Sequence, residues 1–296
     1  MVARNCHKAV YHGLYLRDIE PVYIYPHMQY ELGINGGITP SRVERTLEEN
    51  KDVEGILITS PTYDGVVSDV KAIAEIAHRY GIPLIVDEAH GAHFRFSEYF
   101  PASAGELGAD VVIQSLHKTL PSMTQTALLH RYSDRVDREK LSRFMGIYQS
   151  SSPSYILMGS MNACLDRIAR EGKAMFAAFT DRLENTRRAL SECKQISLAS
   201  EAMVGTAGIY DYDRSKLILS TRNTSMTGRE FHRILRERYH LEMEMEAEAY
   251  VLAMATVGDT EEGLKRLVRA VKEIDGELEE KRGEQQKPRF FQENSP

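Results

Sequence analysis

The stretch VVIQSLHKTLPSMTQTALLH, from Val111 to His130, begins as an apolar run and then sets a lysine on the bend that follows. Apolar β-branched residues bounded by polar ones predict a buried strand. Lysine is among the residues most costly to bury, so Lys118 needs a chemical reason to follow such a strand. When a lysine loses solvent beside another cation-capable group, its pKa falls and its neutral amine can attack a carbonyl. The stretch therefore predicts a nucleophilic lysine at a strand end.

Strand-like and helix-like segments alternate upstream of this stretch. Strands are expected within 21–26, 53–63, 82–91 and 109–118, and amphipathic helices within 38–50 and 68–81. Thr39 and either Ser68 or Asp69 are the expected N-caps, and Gly81 is the expected stop. Continuous apolar runs between helices indicate parallel strands that are covered on both faces. The predicted fold class is therefore α/β, with a doubly wound, mainly parallel sheet.

The pattern changes after Tyr132, where helical periodicity dominates. A long helix is expected from Ser154 to about Cys193, with a break near Gly172 as an open alternative. Further helices are expected within 134–149, 228–240 and 260–275, and strands within 216–222, 241–250 and 251–257. The predicted organisation is a cofactor-binding major domain at 1–150, a long helix and small α+β domain at 151–280, and a polar tail at 281–296.

Composition and charge exclude several classes of protein. The 296 residues carry a net charge of −6 and no basic run, which argues against a nucleic-acid partner. No apolar stretch approaches the length of a membrane span, and the first residues do not form a signal peptide. Cys6, Cys164 and Cys193 are an odd, dispersed set that fits neither a disulfide framework nor a zinc site. A cytoplasmic protein with no membrane or metal partner is expected.

Polar residues follow three consecutive predicted strands, in the segments 59–65 (TSPTYDG), 87–93 (DEAHGAH) and 114–118 (QSLHK). In an open parallel sheet, ligands bind outside the carboxyl ends of the strands, so these segments are expected to converge on one site. Lys118 could form a Schiff base with an aldehyde cofactor. Asp87 could then keep a proton on the nitrogen of a pyridine ring, which preserves the ring as an electron sink.

Several segments resemble one enzyme family. They are SPTYDG, IPLIVDEAHGAHF, GADVVIQSLHKTLPSMTQTALLH and SSSPSY, joined by RNCHKAV near the start and LEMEMEAEAYVLAMATVGDTEEGLKRLVRAVKEID near the far end. Together they resemble the Orn/Lys/Arg decarboxylase family of fold type I, the aspartate-aminotransferase-like enzymes that use pyridoxal 5'-phosphate (PLP). The resemblance extends from about Val2 to Asp275. It implies decarboxylation of arginine, lysine or ornithine to CO2 and a polyamine-type amine.

The resemblance also implies roles for particular residues. Lys118 would bind the cofactor aldehyde, Asp87 would pair with the pyridine nitrogen, and His7 would stack on the ring face. His90 would lie beside the ring. Ser115 and His117 would contact the phosphate or shape the pocket. No metal is implied.

Family members usually carry a Gly-Ser/Thr turn ahead of the RNCHK segment, and this turn opens a helix that cradles the phosphate. Here Met1 stands just before Arg4, and the far end also looks short, so a chain shortened at both ends with weakened PLP affinity is expected. The resemblance further implies a homodimer or higher assembly with sites at the subunit interface. The SSSPSY segment would then reach the partner's cofactor.

A basic substrate needs acidic side chains to bind its cation. The segment EMEMEAEAY supplies Glu242, Glu244, Glu246 and Glu248, which would share one face if the segment were a continuous strand. The alternative interpretation is an exposed edge strand that its charges keep soluble.

Other functions stay open at this stage. A catalytically inactive subunit that keeps the fold, or an aminotransferase or other PLP lyase with the same lysine and aspartate, would fit the same residues. A metal hydrolase could use His90 and His93 with Asp87 or Glu88, although such a pair often occurs by chance. A nucleotide hydrolase is excluded, because Gly172-Lys173 is followed by alanine and no phosphate loop precedes VDEAH.

Overall fold

The computed structural model describes residues 1–278. Its strands are β1 (Val2–Ala3), β2 (Tyr23–Ile24), β3 (Met28–Gln29), β4 (Ile34–Asn35), β5 (Ile56–Thr59), β6 (Val66–Val67), β7 (Leu84–Asp87), β8 (Val111–Ser115), β9 (Ala127–Arg131), β10 (Ser197–Leu198), β11 (Asp211–Tyr212), β12 (Lys216–Ser220), β13 (Met245–Glu246) and β14 (Tyr250–Met254). Its helices are α1 (Lys8–Leu16), α2 (Pro40–Glu49), α3 (Val70–Arg79), α4 (Leu116–Thr119), α5 (Arg138–Tyr148), α6 (Tyr155–Leu190), α7 (Gly228–Tyr239) and α8 (Glu261–Glu277). The predicted tail at 281–296 lies outside the described residues.

A six-stranded sheet in the order β2-β1-β5-β7-β8-β9 forms the centre of the molecule. Its first five strands are parallel, and β9 returns antiparallel to β8. The predicted α/β fold class with a mainly parallel sheet is confirmed. The antiparallel edge strand β9 was not expected, because the sequence after Lys118 contains no two-residue hairpin signal.

Helices α2 and α3 cover one face of this sheet. They bury Val43, Leu47 and Ile73 against strand residues such as Ile58 and Val86. A second cluster joins Phe176, Phe179 and Leu183 of α6 to Phe94 and Leu116, which lie in the segments after β7 and β8. Each such side chain stabilises the fold by about 1.5–3 kcal/mol when fully buried. The two clusters thereby fix the sheet edge that carries the polar segments.

Local signals set the ends of α2 and α3 as predicted. Thr39 is the N-cap residue of α2 and Pro40 follows it at the first helical position. Asp69 caps α3 by accepting a hydrogen bond of 3.0 Å from the Ala72 amide. Gly81 follows α3 with φ of +73°, a left-handed conformation that glycine adopts without strain.

The long helix α6 is continuous over 36 residues, so the alternative with a break near Gly172 is wrong. Gly172 is buried inside the helix, and a Cβ there would lie 3.1 Å from Cγ2 of Ile168. The small residue keeps the helix face close-packed, and an isolated glycine weakens a helix without ending it.

A second, antiparallel sheet in the order β10-β12-β14-β13 follows α6. Helices α7 and α8 pack on it and share the core cluster of α6 through Phe231, Leu235 and Leu267. A capping box fixes the start of α7, because the Thr227 side chain accepts from the Glu230 amide while the Glu230 side chain returns to the Thr227 amide. No helix within residues 1–278 is long and apolar enough to cross a membrane.

At the amino edge of the central sheet, Asp110 forms a buried hub between β7 and β8. Its Oδ2 accepts from the Leu84 amide at 2.8 Å and contacts Nε2 of His78 at 2.9 Å. Its Oδ1 accepts from the Ser133 hydroxyl. Burial alone would raise the pKa of Asp110, but the hydrogen bonds from Ser133, Leu84 and His78 outweigh burial and lower it. Every oxygen of this carboxylate is therefore satisfied within the fold.

Candidate active site

The carboxyl ends of β1, β5, β7 and β8 meet at one edge of the central sheet. Parallel pairing places Thr59 beside Asp87, and Asp87 beside Ile113. Because the strands are parallel and in register, the segments that follow them emerge on the same side. The predicted convergence of the segments after β5, β7 and β8 is therefore observed, and the RNCH turn after β1 joins them.

Lys118 lies in α4, directly after β8, and its side chain is half-buried. Its Nζ is 3.1 Å from Nε2 of His90, which comes from the segment after β7. Burial lowers the pKa of Lys118, and Lys216 lowers it further against the opposing charges of Asp87 and Glu244. The amine is thus biased toward its neutral, nucleophilic form.

His90 is only 5% exposed and has a neutral imidazole. Burial lowers the pKa of His90 to about 2, with the Lys216 and Lys118 ammonium groups as the next causes. A neutral ring that accepts from Lys118 at Nε2 carries its hydrogen on Nδ1, and this buried Nδ1 has no hydrogen-bond partner among the described residues. The Tyr63 ring packs edge-on against the imidazole, with centroids 4.8 Å apart.

Asp87 ends β7, with its carboxylate at the same edge. Its Oδ1 accepts from the Ala89 amide at 3.1 Å, and within residues 1–278 this is the carboxylate's only hydrogen bond. Its charge acts on Lys118 and also on Cys6 in the RNCH turn. Burial raises the pKa of Cys6, and the Asp87 carboxylate adds to that rise.

His7 occupies the N-cap of α1, immediately after this turn. Its Nδ1 accepts from the Ala9 amide at 3.2 Å, and its side chain is exposed. No contact joins His7 to Lys118 or Asp87 within the described residues. The stacking role of His7 therefore stays a prediction.

Ser115 and His117 flank Lys118 as predicted, but they face different surroundings. Ser115 is the buried last residue of β8 and pairs with Ala127 of β9. His117 donates from Nδ1 to the Thr126 carbonyl at 2.9 Å, because a carbonyl can only accept. That tautomer leaves Nε2 of His117 as an acceptor for an outside group. Their contact with a phosphate stays a prediction.

The residues that the metal-hydrolase alternative requires contact different partners and do not converge on one point. Glu88 accepts from the Ser103 hydroxyl, the Ala104 amide and the Gln114 amide group, and burial raises its pKa to about 7. His93 turns to Asp213, with Nε2 3.3 Å from Oδ1. Within residues 1–278 no group of three or more His, Cys, Asp or Glu side chains could hold a metal ion. The proposed ligand set of that alternative is not assembled.

With this geometry in view, comparison with known proteins decides the family. The family model described as "Orn/Lys/Arg decarboxylase, major domain" matches residues 1–257. The chain belongs to the Orn/Lys/Arg decarboxylase family. The predicted resemblance is thus confirmed.

Curated family members are similar along nearly the whole chain. An arginine decarboxylase of Bacillus anthracis is 34% identical over 274 residues, which are 93% of this chain and 56% of the relative. An arginine decarboxylase of Bacillus subtilis is 33% identical over 280 residues, which are 95% of this chain and 57% of the relative. The chain therefore spans a little more than half the length of these relatives.

Solved structures of a decarboxylase and an aminotransferase share the fold of this chain. The lysine decarboxylase of Francisella novicida matches with a TM-score of 0.79 at 21% identity, over 93% of this chain and 44% of that one. A pyridoxamine-pyruvate aminotransferase of Mesorhizobium loti matches with a TM-score of 0.67 at 13% identity, over 93% of this chain and 72% of that one. At these identities the likeness shows a shared fold.

The four glutamates proposed for substrate binding in this decarboxylase-family chain do not act together. Only Met245 and Glu246 of the segment form strand β13, so the continuous strand was a wrong prediction. All four side chains are exposed, but Glu242 and Glu246 bind opposite nitrogens of His232. Glu244 alone turns to the site, where it accepts from the Tyr63 hydroxyl at 2.5 Å.

Several site residues of this family member escaped the sequence reasoning. Tyr63 packs on His90, and Asp64 accepts from the Tyr250 hydroxyl at 2.8 Å. Asp213 and Lys216 form a fully buried ion pair of 3.0 Å. The one available signal was DRSK at 213–216, where charged residues lead into a buried strand and Lys216 is the first residue of that strand.

Proposed function

We propose that this chain carries the PLP-binding and catalytic core of a decarboxylase that converts arginine, lysine or ornithine to CO2 and the corresponding amine. The observation that carries the proposal is the Lys118–His90 contact at the carboxyl edge, in which a half-buried amine meets a neutral imidazole. The arginine decarboxylase names of the relatives support the reaction class.

The residues at this edge suit an aldehyde-bearing pyridine cofactor. Lys118 offers an amine with a lowered pKa, and Asp87 offers a carboxylate with one hydrogen bond. The unpartnered, buried Nδ1 of His90 is a polar atom that a bound group could satisfy. When bound, PLP would supply an electron sink for the pair left by the departing CO2.

Each residue of the chain then has a definite task. Lys118 would hold the cofactor covalently and release it to the substrate amine. His90 would accept a hydrogen bond from Lys118 and fix the direction of its amine. Asp87 would hold a proton on the pyridine nitrogen. His117 and Ser115 would contact the phosphate, and His7 would stack on the ring.

Substrate choice would rest on Glu244. Its carboxylate is exposed, accepts from the Tyr63 hydroxyl, and acts by charge on Lys118. An acid held by the tyrosine that packs on His90 suits the distal cation of a basic amino acid. Charge attraction of this kind favours arginine, lysine and ornithine over neutral amino acids.

A homodimer is part of the proposal. Large exposed apolar side chains gather on α1 and on the neighbouring segment from α5 into α6; they are Tyr15, Leu16, Ile147, Tyr148, Tyr155 and Ile156. The Arg17 guanidinium lies 5.2 Å from the Phe144 ring centroid, which joins α1 to α5. A second copy would cover such a surface. The SSSPSY segment, at the start of α6, lies within it.

The proposal includes a cytoplasmic location, which the cysteines support. Cys6, Cys164 and Cys193 are unpaired, which suits the reducing cytoplasm.

The test is to load the purified chain with PLP and assay CO2 and amine from arginine, lysine and ornithine. Release of CO2 with one of these amines is expected, together with a loss of about a thousandfold or more in Lys118→Ala. Aminotransferase activity is the second candidate, because a solved aminotransferase shares the fold of this chain. A keto acid without CO2 would favour that candidate, and PLP uptake without turnover would favour an inactive subunit.

A further inference from the structure

An ion pair lies entirely within the fold beside the site. The Nζ of Lys216 is 3.0 Å from Oδ2 of Asp213, and both side chains are 0% exposed. Asp213 Oδ1 also accepts from the Ser215 amide and hydroxyl and contacts Nε2 of His93 at 3.3 Å. Taking two charges out of water costs free energy that their attraction often fails to repay, so a buried ion pair is weak evidence for a role in stability.

The pair joins the second sheet to two segments of the catalytic edge. Asp213 donates its amide to the Gly65 carbonyl, in the segment after β5 that carries Tyr63. Gly65 has φ of +95°, and a Cβ there would lie 2.7 Å from Cγ of Lys216. The Lys216 stem therefore packs directly on this backbone, which leaves no room for another side chain. Through His93, Asp213 also holds the segment after β7 that carries His90.

The charge of Lys216 reaches both members of the Lys118–His90 contact. Among the charges that act on His90, Lys216 comes first, ahead of Lys118, Asp213 and His93. Those acting on Lys118 are Asp87 and Glu244, which favour its ammonium form, and Lys216, which opposes it. Lys216 is thus the one buried cation that opposes a positive charge on both groups in the described part of the chain.

We propose that Lys216, held by Asp213, is a positioning residue whose buried ammonium keeps His90 neutral as a hydrogen-bond acceptor and keeps the Lys118 amine reactive. The inference rests on the proposed function, in which Lys118 is the nucleophile. Asp213 fixes where the Lys216 charge stands, against the segment that carries Tyr63 and, through His93, next to the segment that carries His90. No bond to substrate or cofactor is assigned to Lys216.

The experiment measures Lys118 directly, without PLP or turnover. The full chain is acylated briefly with acetic anhydride over a range of pH, and mass spectrometry of the Lys118 peptide gives its rate at each pH. Lys216→Met removes the cation and keeps a similar volume, and Asp213→Asn removes the anion. Lys272→Met is the matched control, because Lys272 makes an exposed pair with Glu192 at 2.6 Å.

Lys216→Met is expected to raise the apparent pKa of Lys118 and to slow its acylation at neutral pH by about threefold or more. Asp213→Asn is expected to move that pKa in the same direction as Lys216→Met, because an unpaired, buried Lys216 loses its proton, and Lys272→Met is expected to leave it unchanged. Lys216→Arg keeps the cation and should keep the wild-type pKa of Lys118, whereas a purely structural role predicts that Lys216→Arg disturbs the profile as much as Lys216→Met. That result, or an unchanged profile in Lys216→Met, overturns the proposal.

Circular dichroism and thermal melting establish that each variant is folded. If Lys216→Met does not fold, the double variant Asp213→Asn/Lys216→Met leaves no charge unpaired, and the same rise in the pKa of Lys118 is required of it. The acylation measurement needs no cofactor, so the two proposals can fail separately. If PLP does not bind Lys118, the proposed function is wrong, and the acylation rates still test the role of Lys216.

Discussion

The two edges of the central sheet hold clusters of ionisable side chains that differ in how completely their hydrogen bonds are satisfied. At the amino edge, Asp110 uses both oxygens on Leu84, His78 and Ser133, and its pKa is lowered by these hydrogen bonds against the effect of burial. At the carboxyl edge, His90 keeps a buried Nδ1 without a partner among the described residues, and Asp87 makes a single hydrogen bond.

The difference separates stability from function. A buried polar group that is fully satisfied stabilises the fold, whereas one that is left unsatisfied costs free energy and persists where a ligand or reaction needs it. The amino edge is therefore expected to govern unfolding, and the carboxyl edge to govern chemistry. Substitutions at the amino edge should lower stability and spare activity, and substitutions at the carboxyl edge should lower activity and spare stability.

The largest effect is expected at Asp87. Asp87→Asn keeps the shape of the side chain but removes the charge that would hold a proton on the pyridine nitrogen, so kcat should fall by about a thousandfold. The melting temperature should hardly change. Steady-state CO2 release and a melting curve on the same sample measure both. A stable Asp87→Asn variant with full activity would contradict the claim that the carboxyl edge governs the chemistry.

Asp110→Ala is expected to do the reverse. Loss of the buried hub leaves the Leu84 amide and His78 without their partner, so the free energy of unfolding should fall by about 3 kcal/mol. The folded fraction should keep its PLP binding. Urea unfolding measures the change. Asp166→Ala, which breaks an exposed pair with Arg170, is the control and should cost less than about 1 kcal/mol.

A smaller effect is expected at Glu244. Glu244→Gln should raise KM for the preferred basic amino acid about tenfold and leave kcat nearly unchanged, because it removes one charge from binding. Glu248→Gln should not alter KM, since the structure gives Glu248 no contact with the site. Equal effects of the two changes on KM would contradict a separate role for Glu244. They would indicate that the glutamates act together as one acidic face.

The smallest effect is a dependence of stability on pH. The folded pKa of Asp110 is below its ordinary value, so its contribution is complete above about pH 4 and declines as the pH falls further. The difference in unfolding free energy between the wild type and Asp110→Ala should therefore shrink below about pH 4. Urea unfolding at several acidic pH values measures this, and a constant difference would contradict the lowered pKa.

Much of the fold could be predicted from the sequence, because its signals are local. Apolar runs gave the parallel strands, and caps such as Asp69 gave the helix ends. Strand β9 could not be predicted, since pairing with β8 decides it. The long helix α6 was predicted, and the sequence left open only a break near Gly172. Tertiary packing overrides a weak local signal such as Gly172.

The candidate site divides in the same way. Lys118, Asp87 and His90 could be found because they stand at the ends of two neighbouring strands, β8 and β7, and parallel strands bring their ends together. The contact between His93 and Asp213 joins residues 120 positions apart, and no sequence period announces it. Glu244 could be named only as one of four acids, because the fold decides which of them turns to Tyr63.

The central claim is that Lys118 is the amine that binds the cofactor aldehyde. The most direct test is to mix the chain with PLP, reduce with borohydride and map the labelled peptide by mass spectrometry. A pyridoxyl group on Lys118, absent from Lys118→Ala, is the predicted result. A label on another lysine, or no label on a folded chain at saturating PLP, would contradict the account.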